Sequence, residues 1–230
     1  MLMQLTHQKK QVAAGVLMLA SAGLVAGTAG TSASAADDQS IGLPGSGTQT
    51  HARLDSLNNS GVRGKATVTV QGRKVEVSVD ARHLVKGMPH AMHFHFSAKS
   101  EHECPTVRDD KNSDHRLNTV EGIPSYGAVR ASLTTRGDHS PKSALAVNRF
   151  PKAKDHQIHY DRTFRVSKKL ARAIERGDAA VVIHGIDYNQ NGKYDFSAGK
   201  SDLDPSLPAE ATDPVACGVL HESSGPLSTP

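Results

Sequence analysis

Apolar and polar residues alternate along much of the middle of the chain, and this pattern limits the possible folds more than any other feature of the sequence. Residues 66–70 and 75–79 both alternate, and Gln71-Gly72 between them is a turn signal. Because successive side chains of a strand point to opposite faces, the pattern predicts a β-hairpin with one buried face. Five further segments carry strand-like runs: residues 91–96, 127–133, 158–166, 179–184 and 216–220.

One segment follows a different period. Ser167 can cap a helix and Gly177 can end it, while Leu170, Ala173 and Ile174 are spaced for one apolar helical face. Many short strands with one short helix and long loops predict an all-β, antiparallel sandwich or barrel.

The two ends of the chain differ from this middle part. A basic start, an apolar stretch to about Val25 and the small residues Ala33-Ser34-Ala35 are typical of a cleaved signal peptide. The segment after it and the end of the chain lack apolar periodicity. The predicted organisation is a signal peptide at 1–36, a flexible tether at 37–51, one domain at 52–221 and a flexible tail at 222–230.

Export sets the expected location and partners. Two of the 27 basic residues lie in the signal peptide, so the remaining chain keeps 25 of them against 23 acidic residues. A net charge of +2 is too small to predict nucleic acid or an acidic membrane as a partner. We therefore expect a secreted, extracellular or cell-wall-associated protein without a membrane span after signal cleavage.

Cys104 and Cys217 are the only cysteines. In an exported chain an isolated pair usually forms a disulfide, and we predict one here. Because the loop that it closes is more than a hundred residues long, the chain-entropy model gives a stabilisation of about 4–5 kcal/mol.

The segment His93-Phe94-His95 is the sharpest local signal for chemistry. On a strand both imidazoles lie on one face and Phe94 lies on the other. Two imidazoles fixed on one face can hold a single metal ion, and imidazole suits copper and zinc. Surface strands also carry this pattern by chance, so by itself it makes His93 and His95 only candidate metal ligands, and the prediction depends on the surrounding motifs.

These histidines belong to an ordered set of motifs. Residues 87–95 read Gly-Met-Pro-His-Ala-Met-His-Phe-His, and Cys104 follows them. Residues 181–184 read Val-Val-Ile-His, and residues 216–220 read Ala-Cys-Gly-Val-Leu. Taken in this order, over about residues 64–220, the motifs resemble the copper/zinc superoxide dismutase family. Three further segments are similar to exported actinobacterial proteins described as superoxide-dismutase-like or chordin-domain-like: residues 121–127, 132–138 and 184–187.

The resemblance implies both a fold and a set of site residues. The fold would be a Greek-key β-sandwich or barrel of the copper/zinc superoxide dismutase type. The positions that match functional residues of the family are His93, His95 and His184 for copper, Cys104 and Cys217 for the disulfide, and Asp138 for zinc.

Departures from the family pattern bear on activity. Glu121 stands where the family has one zinc-binding histidine, and Thr135 stands where it has another, so zinc is not expected. Pro214 stands where a guiding arginine would precede the closing cysteine. This change removes a charge and a fork of hydrogen-bond donors, so any dismutation should be slower than the family norm.

The segment that replaces the zinc ligands has a pattern of its own. Residues 110–121 place oxygen donors at positions 1, 3, 5, 9 and 12, which is the spacing of an EF-hand calcium loop. The predicted calcium ligands are Asp110, Asn112, Asp114, Asn118 and Glu121. A solvated polar loop is the alternative.

His115 occupies the sixth position of this segment, where calcium loops use glycine. It has two interpretations. It can be the bridging histidine that the resemblance implies, and so a further copper ligand, or it can be a substituted residue of a calcium loop.

A second oxygen-rich run follows His184. Here Gly192 lies at the turn position, and donors recur at every second residue. The predicted ligands of a second calcium ion are Asp187, Asn189, Asn191 and Asp195. An Asn/Gly turn is the alternative.

Two classes of function follow from these patterns. One is an enzyme, a copper-dependent superoxide dismutase that works without a normal zinc site. The other is a non-catalytic, chordin-like structural or interaction domain that binds calcium or other metal ions. Copper and calcium are the predicted cofactors, and superoxide or metal ions are the predicted partners.

Overall fold

A computed structural model describes residues 47–222 of the chain. The signal peptide predicted at 1–36, most of the predicted tether and nearly all of the predicted tail lie outside the described residues.

The described residues form a mostly β structure with a few short helices. The strands are β1 (Thr48–Ser56), β2 (Arg63–Gln71), β3 (Lys74–Arg82), β4 (Met92–His95), β5 (Val129–Ser132), β6 (Gln157–Arg165), β7 (Ala180–His184), β8 (Pro214–Val219) and β9 (His221–Glu222). The helices are α1 (Thr119–Tyr126), α2 (Lys168–Glu175) and α3 (Ala209–Thr212).

The strands form one curled antiparallel sheet. Their order is β5-β4-β7-β8-β1-β2-β3-β6, and β9 pairs with β1. Strand β1 joins the two halves of the sheet, because its first part pairs with β2 whereas Asp55 and Ser56 pair with β8. The predicted all-β, antiparallel class is confirmed.

The hairpin predicted around Gln71-Gly72 is formed by β2 and β3. The two strands pair without a register shift, from Arg63 opposite Arg82 to Gln71 opposite Lys74. Alternate residues of both strands are buried, as the alternation of the sequence predicts. The predicted helix after Ser167 is also present as α2, with the Ser167 side chain accepting from the Leu170 backbone N–H.

Two parts of the fold differ from the sequence-based expectation. Strand β1 begins at Thr48, so residues 48–51, assigned to the tether, belong to the sheet. Its inward residues include Thr50 and Ala52, which give little apolar signal. Residues 47–222 also contain three α-helices rather than the one predicted: α1 follows the Asn118 cap, at the end of the predicted loop 110–121, and α3 spans only four residues.

The two faces of β4 and β7 have different surroundings. Phe94, Val181 and Ile183 point into the main hydrophobic core between the two halves of the sheet. His93 and His95 point to the opposite face, yet they are also buried. This division, which the alternation of residues 93–95 predicts, creates a second buried layer that contains polar side chains.

The Cys104–Cys217 disulfide is present, as predicted. It links the loop after β4 to β8 and packs in a small second cluster with Leu57, Leu117 and Tyr126. A disulfide is compatible with an oxidising compartment.

None of the helices within residues 47–222 combines the length and the apolar character that a membrane-spanning segment requires.

Candidate metal centre

Three histidine side chains meet on the second buried layer. His93 and His95 come from β4, and His184 is the last residue of the adjacent strand β7. The two strands pair directly, with His93 opposite Val182 and His95 opposite Ala180. The ring centroids of the three histidines lie 5.0, 5.7 and 5.8 Å apart, and each residue is at most 3% exposed.

One nitrogen of each ring donates a hydrogen bond to a backbone carbonyl oxygen. The partners are the carbonyl of Ala144 for His93 Nε2 at 3.1 Å, that of Gly127 for His95 Nδ1 at 2.8 Å and that of Thr212 for His184 Nδ1 at 2.7 Å. Because a carbonyl oxygen only accepts hydrogen bonds, these three nitrogens carry the protons. The remaining nitrogens, which are His93 Nδ1, His95 Nε2 and His184 Nε2, are buried and lack a hydrogen-bond partner.

The free nitrogens have the chemistry of a metal site. One ring nitrogen of each of the three histidines lies within 4.8 Å of the others. Within residues 47–222 no other trio of histidine, cysteine, aspartate or glutamate side chains meets this spacing. A neutral imidazole with one N–H held by a carbonyl and the other nitrogen unprotonated is the usual form of a metal-binding histidine. The donor set therefore fits a transition-metal ion such as copper or zinc.

Burial keeps these imidazoles neutral. It lowers the pKa of His95 to about 3 and that of His184 to about 4, and it lowers the pKa of His93 well below its ordinary value. Repulsion between the rings adds to the effect at His93 and His95. Uncharged rings keep their lone pairs available for a metal at neutral pH.

Two glycines make the arrangement possible. Gly127, whose carbonyl holds His95, has a φ of 86°, and a Cβ there would collide with the backbone of Phe96. Gly185, which follows His184, has a φ of 105°, and a Cβ there would collide with the hydroxyl of Tyr194. Both backbones have left-handed φ values at points of close contact, which only glycine satisfies without strain.

His90 contacts the centre through the backbone of His184. It is fully buried, and its Nδ1 lies 3.0 Å from the carbonyl oxygen of His184. The hydroxyl of Tyr194 lies 3.2 Å from both ring nitrogens of His90. The contact with the His184 carbonyl positions the backbone at the end of β7 and does not involve the unpaired Nε2 of His184.

A cavity of about 30 Å³ adjoins the centre. His93 and His184 line it, together with Leu145, Val147 and Leu203. Val147 is 41% exposed and Leu203 is 43% exposed, so the cavity lies between the buried rings and the surface.

Two other predicted metal residues lie apart from the three histidines. His115 is exposed in the loop before α1, and it is not a member of the converging trio. Asp138 is exposed, and its carboxylate accepts from the hydroxyls of Ser140 and Ser143. These hydrogen bonds lower the pKa of Asp138 to about 2.

The residues predicted as the first calcium loop form a compact turn before α1. Asp110 accepts from the backbone N–H of His115 at 2.9 Å, with His115 at a φ of 65°. Glu121 accepts from the N–H of Lys111 at 3.0 Å through one oxygen and from the N–H of Asn118 at 3.1 Å through the other. Two further bonds run from Asp114 N to Asn112 Oδ1 and from Arg116 N to Asp114 Oδ1.

The residues predicted as the second calcium loop repeat this scheme. Asp187 accepts from the N–H of Gly192 at 2.6 Å, with Gly192 at a φ of 83°. The corresponding glutamate is Glu210, which accepts from the N–H of Tyr188 at 3.0 Å and from that of Asp195 at 2.7 Å. The two further bonds run from Asn191 N to Asn189 Oδ1 and from Lys193 N to Asn191 Oδ1.

Glu210 is thus a residue that the sequence analysis missed. It lies in α3, far beyond the twelfth position of the second loop, and it is fully buried. Spacing within the loop therefore contains no signal for it. The carbonyls of Gly127, Ala144 and Thr212 were missed for a related reason, because a backbone carbonyl leaves no trace in residue type.

Asp213 connects both loops with the histidine centre. Its Oδ2 accepts from Arg116 Nη1 at 2.8 Å and from the Tyr188 hydroxyl at 2.9 Å, and its backbone oxygen accepts from the N–H of Gly185 at 3.0 Å. Burial raises the pKa of Asp213 to about 7, although Arg116 and Tyr188 oppose the shift. The neighbouring Pro214 pairs with His184. The position of the expected guiding arginine is therefore next to the centre, but it carries no charge.

Comparison with known proteins adds no family to this description. No protein-family model matches the chain, and no curated protein sequence matches it.

Proposed function

We propose that the protein binds one copper ion through His93, His95 and His184. The observation that carries the proposal is the set of three buried imidazoles, each with one nitrogen fixed by a carbonyl and the other left without a partner. Leaving a buried polar atom unpaired costs about 1–3 kcal/mol, and a bound metal ion would offset that cost at all three rings.

We further propose that the fold is of the Greek-key copper/zinc superoxide dismutase type. The strand order supports this proposal, because β1, β2, β3 and β6 are neighbours on one side and β5, β4, β7 and β8 on the other. Among these eight strands the chain crosses between the halves after β3, β5 and β6, as Greek-key connections do. Secretion is part of the same proposal, supported by the disulfide and by the apolar start of the sequence.

The proposed reaction is the dismutation of superoxide without zinc. Bound copper would supply reversible one-electron chemistry, so that one superoxide is oxidised to dioxygen and a second one, with two protons, is reduced to hydrogen peroxide. The chain itself keeps the three imidazoles neutral, fixes their orientation and leaves a small cavity beside His93 and His184 for a reactant.

The cavity favours this reaction over metal storage. A non-catalytic, chordin-like module that sequesters copper needs no space beside its ligands, whereas a redox site needs room for a small molecule. Pro214 and the uncharged wall of the cavity mean that an anion is not steered toward the centre. We therefore expect turnover to be slower than in a dismutase with a cationic channel.

Calcium binding by the two oxygen-rich loops stays a separate prediction of the sequence pattern. It concerns the stability of the loops rather than the reaction, and a count of calcium per chain tests it together with copper.

The test begins with the metal content of protein purified without chelators. We expect close to one copper per chain and little zinc, and we expect the double variant His93→Ala/His95→Ala to retain no copper. The matched control is His115→Ala, which should retain the wild-type copper content because His115 lies outside the trio.

Superoxide consumption by the copper-loaded wild type is then compared with that of the double variant, with a chelator present in both to suppress free copper ion. Faster consumption by the wild type supports dismutation. Equal rates would leave a copper-binding protein without this activity. Calcium alone, with copper not retained even when supplied, would exclude the histidine centre.

A further inference from the structure

The cavity beside the metal centre has an apolar mouth, defined here by Leu145, Val147 and Leu203. These side chains line the cavity, and Val147 and Leu203 are also exposed at the surface. His93 and His184, which are buried, line the same cavity. A small molecule that passes the mouth therefore arrives next to two of the three proposed ligands.

None of the residues that line the cavity carries a charged side chain. Besides the histidines, the polar residues that line the cavity are Thr119 and Thr212, and the hydroxyl of each already donates a hydrogen bond within the protein. Thr119 donates to the carbonyl of Thr212 at 2.7 Å, and the Thr212 hydroxyl donates to Ser201 at 2.8 Å. An anion that enters thus leaves its hydration shell and finds no donor in the wall.

The wall is held in place by the segment that also orients the centre. The carbonyl of Ala144 fixes His93, and the next residue, Leu145, lines the mouth. The guanidinium of Arg149 donates to the Ser143 hydroxyl at 2.7 Å, and this contact fixes the preceding turn. The Arg149 guanidinium is therefore engaged with Ser143, and Arg149 does not line the cavity.

Desolvation decides which ligands such a mouth admits. Moving an ion out of water without a partner costs several kcal/mol, whereas a small uncharged molecule loses little. Each 1.4 kcal/mol corresponds to a tenfold change in affinity. The charge of a bound copper ion would attract an anion, so the uncharged lining is expected to weaken anion binding relative to a centre with a cationic mouth, by about tenfold for each missing charge.

We infer that this cavity is a binding site for small uncharged molecules, and that the reactant it admits is the protonated form of superoxide, the hydroperoxyl radical. The inference rests on the proposed copper site. The reaction balances without further reactants: one radical loses an electron and a proton to become dioxygen, and a second gains an electron and a proton to become hydrogen peroxide.

The test compares an anion and an uncharged ligand at the copper-loaded centre. Azide binding to the oxidised form is followed by its charge-transfer absorption, and carbon monoxide binding to the reduced form by its infrared stretch. Val147→Lys and Leu203→Lys each place a cation at an exposed position of the mouth. Val107→Lys is the control, because Val107 is 86% exposed and does not line the cavity.

We expect the wild type to bind carbon monoxide readily and azide weakly. Each lysine at the mouth should raise azide affinity about tenfold, by an attraction of roughly one charge pair near the surface, and leave carbon monoxide binding unchanged. The Val107 variant should behave as wild type in both measurements.

Tight azide binding by the wild type, unchanged in both mouth variants, would overturn the inference while copper binding stands. Failure of the wild type to retain copper would overturn the copper proposal and this inference together. A gain of azide affinity in the Val107 variant equal to that of the mouth variants would also overturn it, since the effect would then not depend on the mouth.

Discussion

The histidine centre and the two oxygen-rich loops satisfy their polar atoms in opposite ways. At the centre, three buried nitrogens have no hydrogen-bond partner within the described residues. In the loops, the side-chain oxygens of Asp110, Glu121, Asp187 and Glu210 accept from backbone N–H groups of the loops themselves. The centre is thus arranged for a ligand that the chain does not supply, whereas the loops hold their shape through bonds of their own.

This difference makes the histidine pattern stronger evidence for a metal site than the two loop patterns. The loops match a longer motif with more donors than His93-Phe94-His95, yet the carboxylates of the loops form no converging trio among the described residues. Convergence of unpaired atoms, rather than the number of donors in a row, is what distinguishes the histidines. Variants that add or remove a partner at either region test this distinction.

The largest expected effect is the stabilisation of the protein by copper. A ligand that binds only the folded state adds about 4 kcal/mol to the free energy of unfolding when its concentration is a thousand times its dissociation constant. We expect urea unfolding of the wild type to shift by about this amount with copper. His184→Ala should remove most of the shift, because the third nitrogen is lost.

Calcium provides the comparison in the same experiment. If the loops act only as self-bonded turns, saturating calcium should shift the unfolding midpoint much less than copper does. A calcium shift as large as the copper shift, and retained in His184→Ala, would reverse the contrast between the two regions.

A second large effect is expected on the stability of the metal-free protein at acidic pH. Because burial holds the pKa of His95 at about 3 and that of His184 at about 4, the unfolded chain binds more protons below its ordinary histidine pKa of 6.5. The metal-free protein should therefore lose several kcal/mol of stability as pH falls from about 6.5 toward 4. His184→Gln should make this loss smaller.

Asp213 acts with the opposite sign over part of this range. Its pKa is raised from 3.8 to about 7, so its contribution to stability is complete below 3.8 and is lost as pH rises through 7. Unfolding free energies of the wild type and of Asp213→Asn, measured at several pH values without metal, separate the two contributions. A stability that stays flat from pH 6.5 to 4 in both proteins would contradict the neutral, buried state of the histidines.

A smaller effect is expected at the glutamates that close the loops. Glu121→Gln and Glu210→Gln each place an amide group against a backbone N–H, so one accepting oxygen is lost. The expected cost is about 1–3 kcal/mol in the free energy of unfolding, larger at the fully buried Glu210. Calcium-free urea titrations measure it, and Glu103→Gln, at an exposed position, is the control. No loss in either variant would mean that the shared bonding scheme does not stabilise the loops.

The sheet and the histidine face were predictable because both depend on local alternation. The hairpin of β2 and β3, helix α2 and the separation of His93 and His95 from Phe94 follow from side-chain direction within one strand or helix. Strand β1 was not predicted, because its buried positions include Thr50 and Ala52 and its apolar pattern is therefore weak.

The rest of the site depends on contacts between distant segments. Ala144 and Thr212 reach the histidines through backbone carbonyls, which any residue type could supply. Glu210 closes the second loop from α3, and the fold alone brings the two together. Patterns of residue type predict donors that lie on one strand or in one loop. They do not predict hydrogen-bond partners from distant segments, which only the tertiary structure brings together.

The smallest expected effect concerns the sixth position of the loops, where the two differ most. His115 and Gly192 both have left-handed backbones, with φ of 65° and 83°, and both donate their N–H to the first aspartate of the loop. A non-glycine residue in this conformation costs about 1–2 kcal/mol, whereas glycine loses more entropy on folding, by about 0.5–1 kcal/mol. His115→Gly should therefore stabilise the protein by no more than about 1.5 kcal/mol.

The matched change in the other loop has the opposite sign. Gly192→Ala introduces the same left-handed cost and recovers the entropy difference of glycine, and since no atom lies within 4 Å of the added Cβ, no steric cost adds to this net loss. Chemical unfolding measures both changes. If His115→Gly instead removed copper, His115 would be a copper ligand after all, and the exposed loop would have to close over the histidine centre. A copper content unchanged by His115→Gly, together with the small gain in stability, would establish the loop as a turn with a glycine position filled by histidine.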